Sequence, residues 1–295
     1  MEILKAAVIG DPISHSLSPQ LHNFLLKQYK INGSYNAINL KKDEIYDFIV
    51  SFQNDKNFRG FNVTIPYKEI FYKIAKEMNF IICESAESIK SINTVYKQEN
   101  KIYVSNSDAF GFLENIKINF PEYINKKTAL VYGSGGASRA VIYSLLKNNY
   151  RNIIIVNRTL SKAKEVAEHF TSLFSSKNII INCYTDINKE ILEDIDIFIN
   201  TTSLGMNSNN DLIIDFKNQN LNKEILFYDI VYNPLMTKML IDAQNNGNKI
   251  LTGIGMLIYQ AFEGFEKWFG VKPKLTPSQQ KDISQILIDK LNKNS

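Results

Sequence analysis

The sequence predicts an α/β fold: an N-terminal α/β substrate domain plus a Rossmann-type, doubly wound nucleotide-binding domain. Three observations predict it. Short apolar runs alternate with amphipathic runs along the chain, the pattern of βα units with largely parallel sheets. The loop Gly133-Ser134-Gly135-Gly136-Ala137-Ser138 follows an apolar run and opens a helical one, the setting in which a glycine-rich loop binds a dinucleotide. At 295 residues the chain is roughly twice a typical domain, so two domains are expected.

In the first third, Ala6–Ile9, Tyr35–Leu40 and Gly60–Ile65 read as strands, and Pro19–Ile31, Asp43–Phe52 and Pro66–Met78 as helices. Ser91–Tyr96 and Lys101–Asn106 flank Lys97–Asn100 and read as a hairpin, and Ala109–Ile118 as a helix. A second unit begins after Pro121. Its strands are Thr128–Tyr132, Asn152–Val156, Asn178–Asn182, Asp196–Asn200, Ile225–Ile230 and Lys249–Leu251, and its helices are Ala137–Asn148, Ser161–Phe174 and Pro234–Asn246. Met256–Trp268 and Pro277–Asn292 are the last helices. The second of these opens on a capping-box pattern, Thr276 with Gln279 three residues on and Pro277 at the first position. The domain joint is placed near Asp108.

Composition narrows the function classes. Hydrophobic residues make up 44% and charged residues 22%, as in ordinary globular proteins. A formal charge of +4 with scattered lysines gives no basic stripe for nucleic acid. The two cysteines, Cys83 and Cys183, and the three histidines show no metal spacing, so no metal is expected. No apolar run approaches the ~20 residues of a membrane span, and no signal peptide precedes the first strand. A cytoplasmic location is expected, without a membrane partner.

The nucleotide half is specific. Gly133 permits a tight turn, Gly135 and Gly136 let a pyrophosphate approach the backbone, and the helix N-terminus supplies free N–H groups. NAD-binding folds place an acidic residue after the second strand to hold the ribose 2′-hydroxyl. Here Asn157-Arg158-Thr159 stands there, and a cation suits a 2′-phosphate. Lys162 adds a second cation one turn into the next helix. The set favours NADP over NAD, although Thr159 or Ser161 also reads as a helix cap and Lys162 as an ordinary surface residue. Asn200-Thr201-Thr202-Ser203-Leu204-Gly205-Met206 follows another strand, and its position predicts a wall of the cofactor crevice.

The substrate half carries polar groups at strand ends. Ser18 before Pro19 reads as an N-cap with Pro at the first helical position, and Ser16 remains for other work. Two such hydroxyls beside a helix start suit a carboxylate. Asn93 adds an amide. Asp108 also reads as a simple helix N-cap, and Gln260 as a polar residue within a helix. Lys68 falls in the first turn of a predicted helix, where a cation opposes the dipole.

Together these segments resemble the shikimate dehydrogenase family. The resemblance runs through Ser16-Leu17-Ser18-Pro19 with His22-Asn23, Asn62-Val63-Thr64-Ile65-Pro66-Tyr67-Lys68, and Ile92-Asn93-Thr94. It continues through Asn106-Ser107-Asp108, the Gly133–Ser138 loop, Asn157-Arg158-Thr159, and Gly255-Met256-Leu257 with Gln260-Ala261. It implies NADPH-dependent reduction of 3-dehydroshikimate to shikimate, in the route to aromatic amino acids. It implies a catalytic pair at Lys68 and Asp108, carboxylate-binding Ser16 and Ser18, and ring-hydroxyl ligands Thr64, Asn93, Asp108 and Gln260. Tyr232 matches a family tyrosine near the substrate. NADP contacts fall to Gly133, Ser134, Gly135, Gly136, Ala137, Ser138, Asn157, Arg158, Thr159, Lys162, Thr201, Thr202, Ser203 and Gly253. The family's C-terminal helices return to the first domain, which sets the expected domains at 1–107 with 253–295 and at 108–252. Monomers and homodimers are both implied. Ser107, Ala109 and Ser134 depart from the family's commonest residues without removing a functional group.

The implied chemistry suits these residues. Reducing a ring ketone needs a hydride on carbon and a proton on oxygen. Lysine serves as the acid when its environment lowers its pKa from about 10.4, whereas a carboxylate beside it favours the charged form. Lys68 is therefore expected to stabilise the alkoxide and shuttle the proton, with Asp108 holding a hydroxyl. Two domains flanking one site imply hinge closure on NADP binding. A quinate-oxidising relative, a dehydrogenase for another small cyclic acid and a non-catalytic NADP sensor remain as alternatives.

Overall fold

The structure is a computed structural model and describes residues 2–206, 211–214, 216 and 221–294. The chain divides into two compact units, Met1–Ser107 with Gln260–Ser295, and Asp108–Tyr259.

The first unit is a mixed sheet with helices. Its strands are β1 (Leu4–Gly10), β2 (Gly33–Asn39), β3 (Phe58–Val63), β4 (Ile81–Ile82), β5 (Thr94–Gln98) and β6 (Lys101–Ser105). They lie in the order β2-β1-β3-β5-β6-β4. β1 pairs in parallel with β2 and β3, whereas β5 runs antiparallel to β3 and β6. The hairpin turns on two residues, Glu99 and Asn100, both with positive φ, the conformation that matches strand twist in a tight hairpin. Helices α1 (Ser18–Gln28), α2 (Ile45–Asn54), α3 (Lys68–Glu77) and α4 (Glu84–Ile89) connect these strands. One face of the sheet packs a core of Ile49, Phe52, Phe61, Phe71, Ile92 and Val95 among others. The hydrophobic side chains supply most of the driving force.

The second unit is a fully parallel sheet. Its strands are β7 (Thr128–Tyr132), β8 (Asn152–Val156), β9 (Ile180–Tyr184), β10 (Ile197–Asn200), β11 (Leu226–Asp229) and β12 (Lys249–Leu251). The order is β12-β11-β10-β7-β8-β9, so the chain winds outward from β7 in one direction, then returns to β10 and winds outward in the other. That is the doubly wound order, with its reversal between β7 and β10. Helices α5 (Asp108–Asn119), α6 (Gly136–Lys147), α7 (Leu160–Leu173), α8 (Lys189–Glu193) and α9 (Lys238–Asn246) accompany it.

Two helices complete the chain, α10 (Gly253–Phe269) and α11 (Pro277–Asn294). The first turns of α10 belong to the second unit and the rest, from Gln260, to the first. The capping box forms as read: Thr276 N–H donates to Gln279 Oε1 at 2.9 Å and Gln279 N–H to Thr276 Oγ1 at 3.3 Å.

Some boundaries move. β9 starts two residues later than expected because its alternate residues are exposed, so its apolar pattern does not fix its ends. The helix expected from Pro234 begins only at Lys238, because the preceding segment is hydrogen-bonded to the end of β11. The short elements β4 and α4 carry too few residues for a periodic signal.

Trp268 anchors α10 in the first unit. It is 1% exposed, and its indole N–H donates to the Val95 carbonyl at 2.9 Å. Gly60 makes room for it: a Cβ there would lie 2.2 Å from the indole nitrogen. Trp268→Ala is expected to lower unfolding free energy by about 3–5 kcal/mol. Urea unfolding checks this, and a loss below about 1 kcal/mol would remove Trp268 as the anchor.

Candidate active site

The strand ends of the first unit gather its polar groups. β1 and β3 are parallel neighbours, and Thr64 and Asp11 cross-link their ends: Thr64 N–H donates to the Ile9 carbonyl at 3.0 Å and Asp11 N–H to that of Ile65 at 3.2 Å. Gly10 permits the approach, since a Cβ there would lie 2.7 Å from Thr64 Cγ2. Thr64 is half-buried just past the end of β3.

Ser18 corrects a sequence expectation. It is the first residue of α1 rather than its cap; Leu17 occupies the cap position with no side-chain cap bond. Ser16 Oγ instead accepts the Ser18 N–H at 3.3 Å. The Ser18 hydroxyl reaches Tyr35, whose phenol burial pushes well above its usual range.

Asn93 lies at the centre of a buried polar cluster. Its Oδ1 accepts from Ser107 N–H at 2.8 Å and from Thr94 Oγ1 at 2.9 Å, and its Nδ2 donates to Ser107 Oγ at 3.1 Å. Ser107 Oγ also donates to Gln260 Oε1 at 3.3 Å. The structure therefore brings Asn93 and Gln260, 167 positions apart in the chain, onto one serine. Asn62 ties this cluster to β2: Tyr35 donates its phenolic hydrogen to Asn62 Oδ1 at 2.6 Å, and Asn62 Nδ2 donates to the Asn93 carbonyl at 2.9 Å. Lys68 opens α3, half-buried. Its carbonyl accepts from Ile92 N–H at 2.9 Å, which ties the start of α3 to the residue before Asn93.

Thr94, Ser107, Tyr35 and Asn62 escaped the sequence reading as positioning residues. Polar residues within apolar strands signal Asn62 and Thr94. Nothing in the sequence marks Tyr35.

In the second unit, Asp108 is the first residue of α5 and is 5% exposed. Gly133 follows β7 with φ of +116°, and its N–H donates to the Val156 carbonyl at 2.8 Å. A Cβ at Gly133 would lie 2.6 Å from Thr201 Oγ1, whereas one at Gly135 would meet nothing within 4 Å. The turn is thus packed on its inner side and open at the helix start. Ser134 and Ala137 are half-buried, as is Gly136, the first residue of α6. Ser138 is buried, and its hydroxyl donates to the Gly135 carbonyl at 2.6 Å, bracing the turn from within.

After β8, Asn157 Nδ2 donates to the Thr159 carbonyl at 2.8 Å. Arg158, Thr159 and Lys162 are exposed. The Arg158 charge reaches back to Tyr132 at the end of β7, lowering a phenol that burial raises. On the other side of β7, Thr201 donates both its N–H and its hydroxyl to the Tyr132 carbonyl, at 2.9 and 2.7 Å. Thr202 is half-buried and Ser203 exposed. Gly253 N–H donates to the Val231 carbonyl at 3.2 Å, and a Cβ at Gly253 would lie 2.2 Å from the Ile230 carbonyl oxygen. Tyr232, next along, is half-buried, and burial holds its phenol protonated above its ordinary range.

Comparison with known proteins places the chain in a family. Family models for the shikimate dehydrogenase substrate binding domain, for shikimate / quinate 5-dehydrogenase and for the shikimate 5′-dehydrogenase C-terminal domain match residues 8–95, 114–235 and 253–277. A shikimate dehydrogenase (NADP(+)) from Bartonella quintana is 38% identical over 95% of this chain and 92% of its own. The chain belongs to the shikimate dehydrogenase family. Among solved members, the shikimate dehydrogenase of Aquifex aeolicus matches with a TM-score of 0.82 and 30% identity over 96% of this chain and 98% of its own. The shikimate 5-dehydrogenase of Thermus thermophilus, in complex with NADP(H) and shikimate, matches with a TM-score of 0.81 and 30% identity over 97% of this chain and 100% of its own. Among the described residues, no cluster of three or more metal-binding side chains occurs, and no helix is long and apolar enough to cross a membrane.

Asp229, at the end of β11, belongs to no sequence-predicted set. Burial raises its carboxyl to about 6, against three hydrogen bonds that favour the carboxylate. A raised folded pKa makes the folded state bind the extra proton. The resulting stabilisation is complete below the unfolded value of 3.8 and is lost as pH rises through about 6. The contribution is on the order of 3 kcal/mol. Urea unfolding between these pH values is expected to show that slope, and Asp229→Asn to remove it; equal slopes in both proteins would refute the assignment.

Proposed function

We propose that this chain catalyses the reversible NADPH-dependent reduction of 3-dehydroshikimate to shikimate, a step toward aromatic amino acids. One observation carries most weight. The Gly133 turn and the Asn200 turn flank the reversal between β7 and β10, where doubly wound sheets bind dinucleotides, in a chain that also buries the Asn93–Ser107–Gln260 cluster.

The residues fit the cofactor. Gly133 forms a turn no side chain could occupy, Gly135 leaves open space at the start of α6, and Arg158 stands where an NAD-binding fold would place a carboxylate. Gly133 to Ser138 would hold the pyrophosphate, and Asn157, Arg158, Thr159 and Lys162 the 2′-phosphate. Thr201, Thr202, Ser203 and Gly253 would bound the crevice. When bound, NADPH supplies the hydride.

The chain's own residues do the remainder. Ser16 and Ser18 bind the carboxylate; the Ser18 hydroxyl serves no cap and is oriented by Tyr35. Thr64, Asn93, Tyr232 and Gln260 orient the ring through its hydroxyls. The triple hold on the Asn93 amide fixes which of its ends faces inward. Lys68 Nζ gives the proton to the developing alkoxide in reduction and takes it in oxidation. Asp108 binds the neighbouring hydroxyl. We further assign residues 1–107 with 253–295 to substrate and 108–252 to cofactor, as a cytoplasmic monomer or homodimer with no nucleic-acid partner.

Initial rates of NADP⁺ and NAD⁺ reduction with shikimate and with quinate test this reading. Activity confined to shikimate and NADP⁺ is expected. Comparable quinate rates would move the chain to the dual-specificity members, and no activity in any pairing would overturn the proposal. Arg158→Ala is expected to raise KM for NADP⁺ by roughly 10- to 100-fold with little change for NAD⁺, as loss of a charge-assisted phosphate contact predicts. An unchanged ratio of the two kcat/KM values would remove Arg158 from the phosphate site.

A further inference from the structure

The ends of β10 and β11 carry a buried polar pair with no part in the chemistry above. Asn200 and Asp229 are register partners on these adjacent strands, and both are 0% exposed. Asp229 Oδ1 accepts from Asn200 Nδ2 at 3.0 Å and from Val231 N–H at 2.9 Å, and its Oδ2 accepts from Thr237 Oγ1 at 2.7 Å. Asn200 is equally engaged. Its Nδ2 donates also to the Leu204 carbonyl at 3.0 Å, and its Oδ1 accepts from Thr202 N–H at 3.0 Å and from Thr202 Oγ1 at 2.7 Å.

Each loop is therefore tied to the same carboxylate. The loop after β10 is folded on Asn200 through Thr202 and Leu204, and its Thr201 backs the Gly133 turn. The loop after β11 is tied to Asp229 at both ends, by Val231 and Thr237, and carries Tyr232 between them. A direct contact joins the two loops as well: Gly205, with φ of +91°, lies against Thr237, so that a Cβ there would be 3.0 Å from Thr237 Cγ2.

A carboxylate is the group this junction needs. Three donors converge from one loop and one strand end, and an ionised carboxylate is acceptor-only. An amide would turn an N–H₂ toward at least one of those donors, and an apolar residue would leave all three unsatisfied. A buried carboxylate costs several kcal/mol of desolvation, and apolar packing serves stability at least as well. Its advantage here is geometric.

We propose that Asp229 is a positioning residue for the reaction, locking the cofactor-side loop of Thr201–Ser203 and the substrate-side loop of Tyr232 into one unit. The inference rests on the roles given to those loops above. Its consequence is cross-talk. Thr237 meets the cofactor-side loop through Asp229 and Gly205, and its hydroxyl should therefore govern affinity for the cofactor.

The test measures NADP⁺ dissociation constants by direct titration of the whole protein, and KM and kcat for shikimate, at alkaline pH where Asp229 is ionised. Thr237→Val keeps the shape and removes the hydroxyl. It is expected to weaken NADP⁺ binding and to raise the shikimate KM, each about five- to tenfold, while kcat falls less. Thr237→Ser, which restores the hydroxyl, is expected to lie within twofold of wild type. Asp229→Asn is expected to shift both affinities at least as far as Thr237→Val. If Thr237→Val and Asp229→Asn lower thermal stability but leave both affinities within twofold of wild type, the pair is a structural anchor only and the proposal is wrong. Should the wild-type protein bind NADP⁺ without oxidising shikimate, the functional reading fails while the NADP⁺ titrations still decide this one. A wild-type protein that does not bind NADP⁺ overturns both.

Discussion

Lys68→Ala is expected to lower kcat for shikimate oxidation by roughly 10³-fold, about 4 kcal/mol, with the shikimate KM shifted less than about fivefold. The expectation follows from the division of labour proposed for the substrate groups. Serine hydroxyls, Thr64, Asn93 and Gln260 would hold the ring in ground state and transition state alike. Lys68 would act mainly on charge that develops at the carbonyl oxygen. Removing such a group lowers turnover more than affinity.

Stability gives this prediction a second edge. Lys68 is the first residue of α3, where a cation faces the positive end of the helix dipole. Its backbone carbonyl, not its side chain, accepts the Ile92 hydrogen bond. Alanine keeps that bond, so Lys68→Ala should still fold, and its loss of turnover can be read as loss of the ammonium group. Asp108→Asn should lose turnover comparably but gain no stability, because an anion suits the first turn of α5. If the two groups act as a unit, the double variant should be little worse than the worse single one. Near-wild-type kcat in Lys68→Ala, or fully multiplicative losses in the double variant, would break the assignment.

Much of this arrangement is legible before any coordinates. Thr128–Tyr132 and Asn152–Val156 form the strands read from their apolar runs, because interior strands of a parallel sheet are covered on both faces. The Gly133 loop is legible because strand, glycines and helix are contiguous, and the chemistry is local in sequence. What stays hidden is non-local. Ser107 reads as a minor departure beside Asp108, yet it joins Asn93 to Gln260. Asp229 reads as the end of an apolar strand, yet it binds two loops. Tyr35 reads as a strand residue, yet its phenol holds Asn62. Ser18 satisfies every local criterion for a helix cap, yet Leu17 takes the cap position, Ser18 becomes the first helical residue, and its N–H is held by Ser16 Oγ. Pattern places elements, but which side chain meets which is decided by the packing of elements far apart in the chain.

Gly133→Ala is expected to weaken NADP⁺ binding by about 100-fold or more and to destabilise the second unit by about 2–4 kcal/mol. Two costs combine. At φ of +116° the backbone lies in a region that L-residues with a Cβ rarely adopt. The new methyl would also sit 2.6 Å from Thr201 Oγ1 and 2.9 Å from Thr202 Cγ2. Neither threonine can yield cheaply. Thr201 is held by two hydrogen bonds to the Tyr132 carbonyl, and Thr202 by two to Asn200 Oδ1, itself fixed by Asp229. The turn must therefore move outward, toward the open side at Gly135 where the pyrophosphate would lie. Loss of cofactor affinity then exceeds what the stability change alone would give. Gly135→Ala is the internal control, because its Cβ meets no protein atom and φ there is −86°. It should unfold like wild type and still bind NADP⁺ poorly, since its methyl would occupy ligand space. Fluorescence titration with NADP⁺ and urea unfolding on both variants separate the two effects. If Gly133→Ala binds NADP⁺ as wild type does, the turn is not the cofactor cradle, and if Gly135→Ala also binds normally, the open side at the start of α6 is not where the pyrophosphate rests.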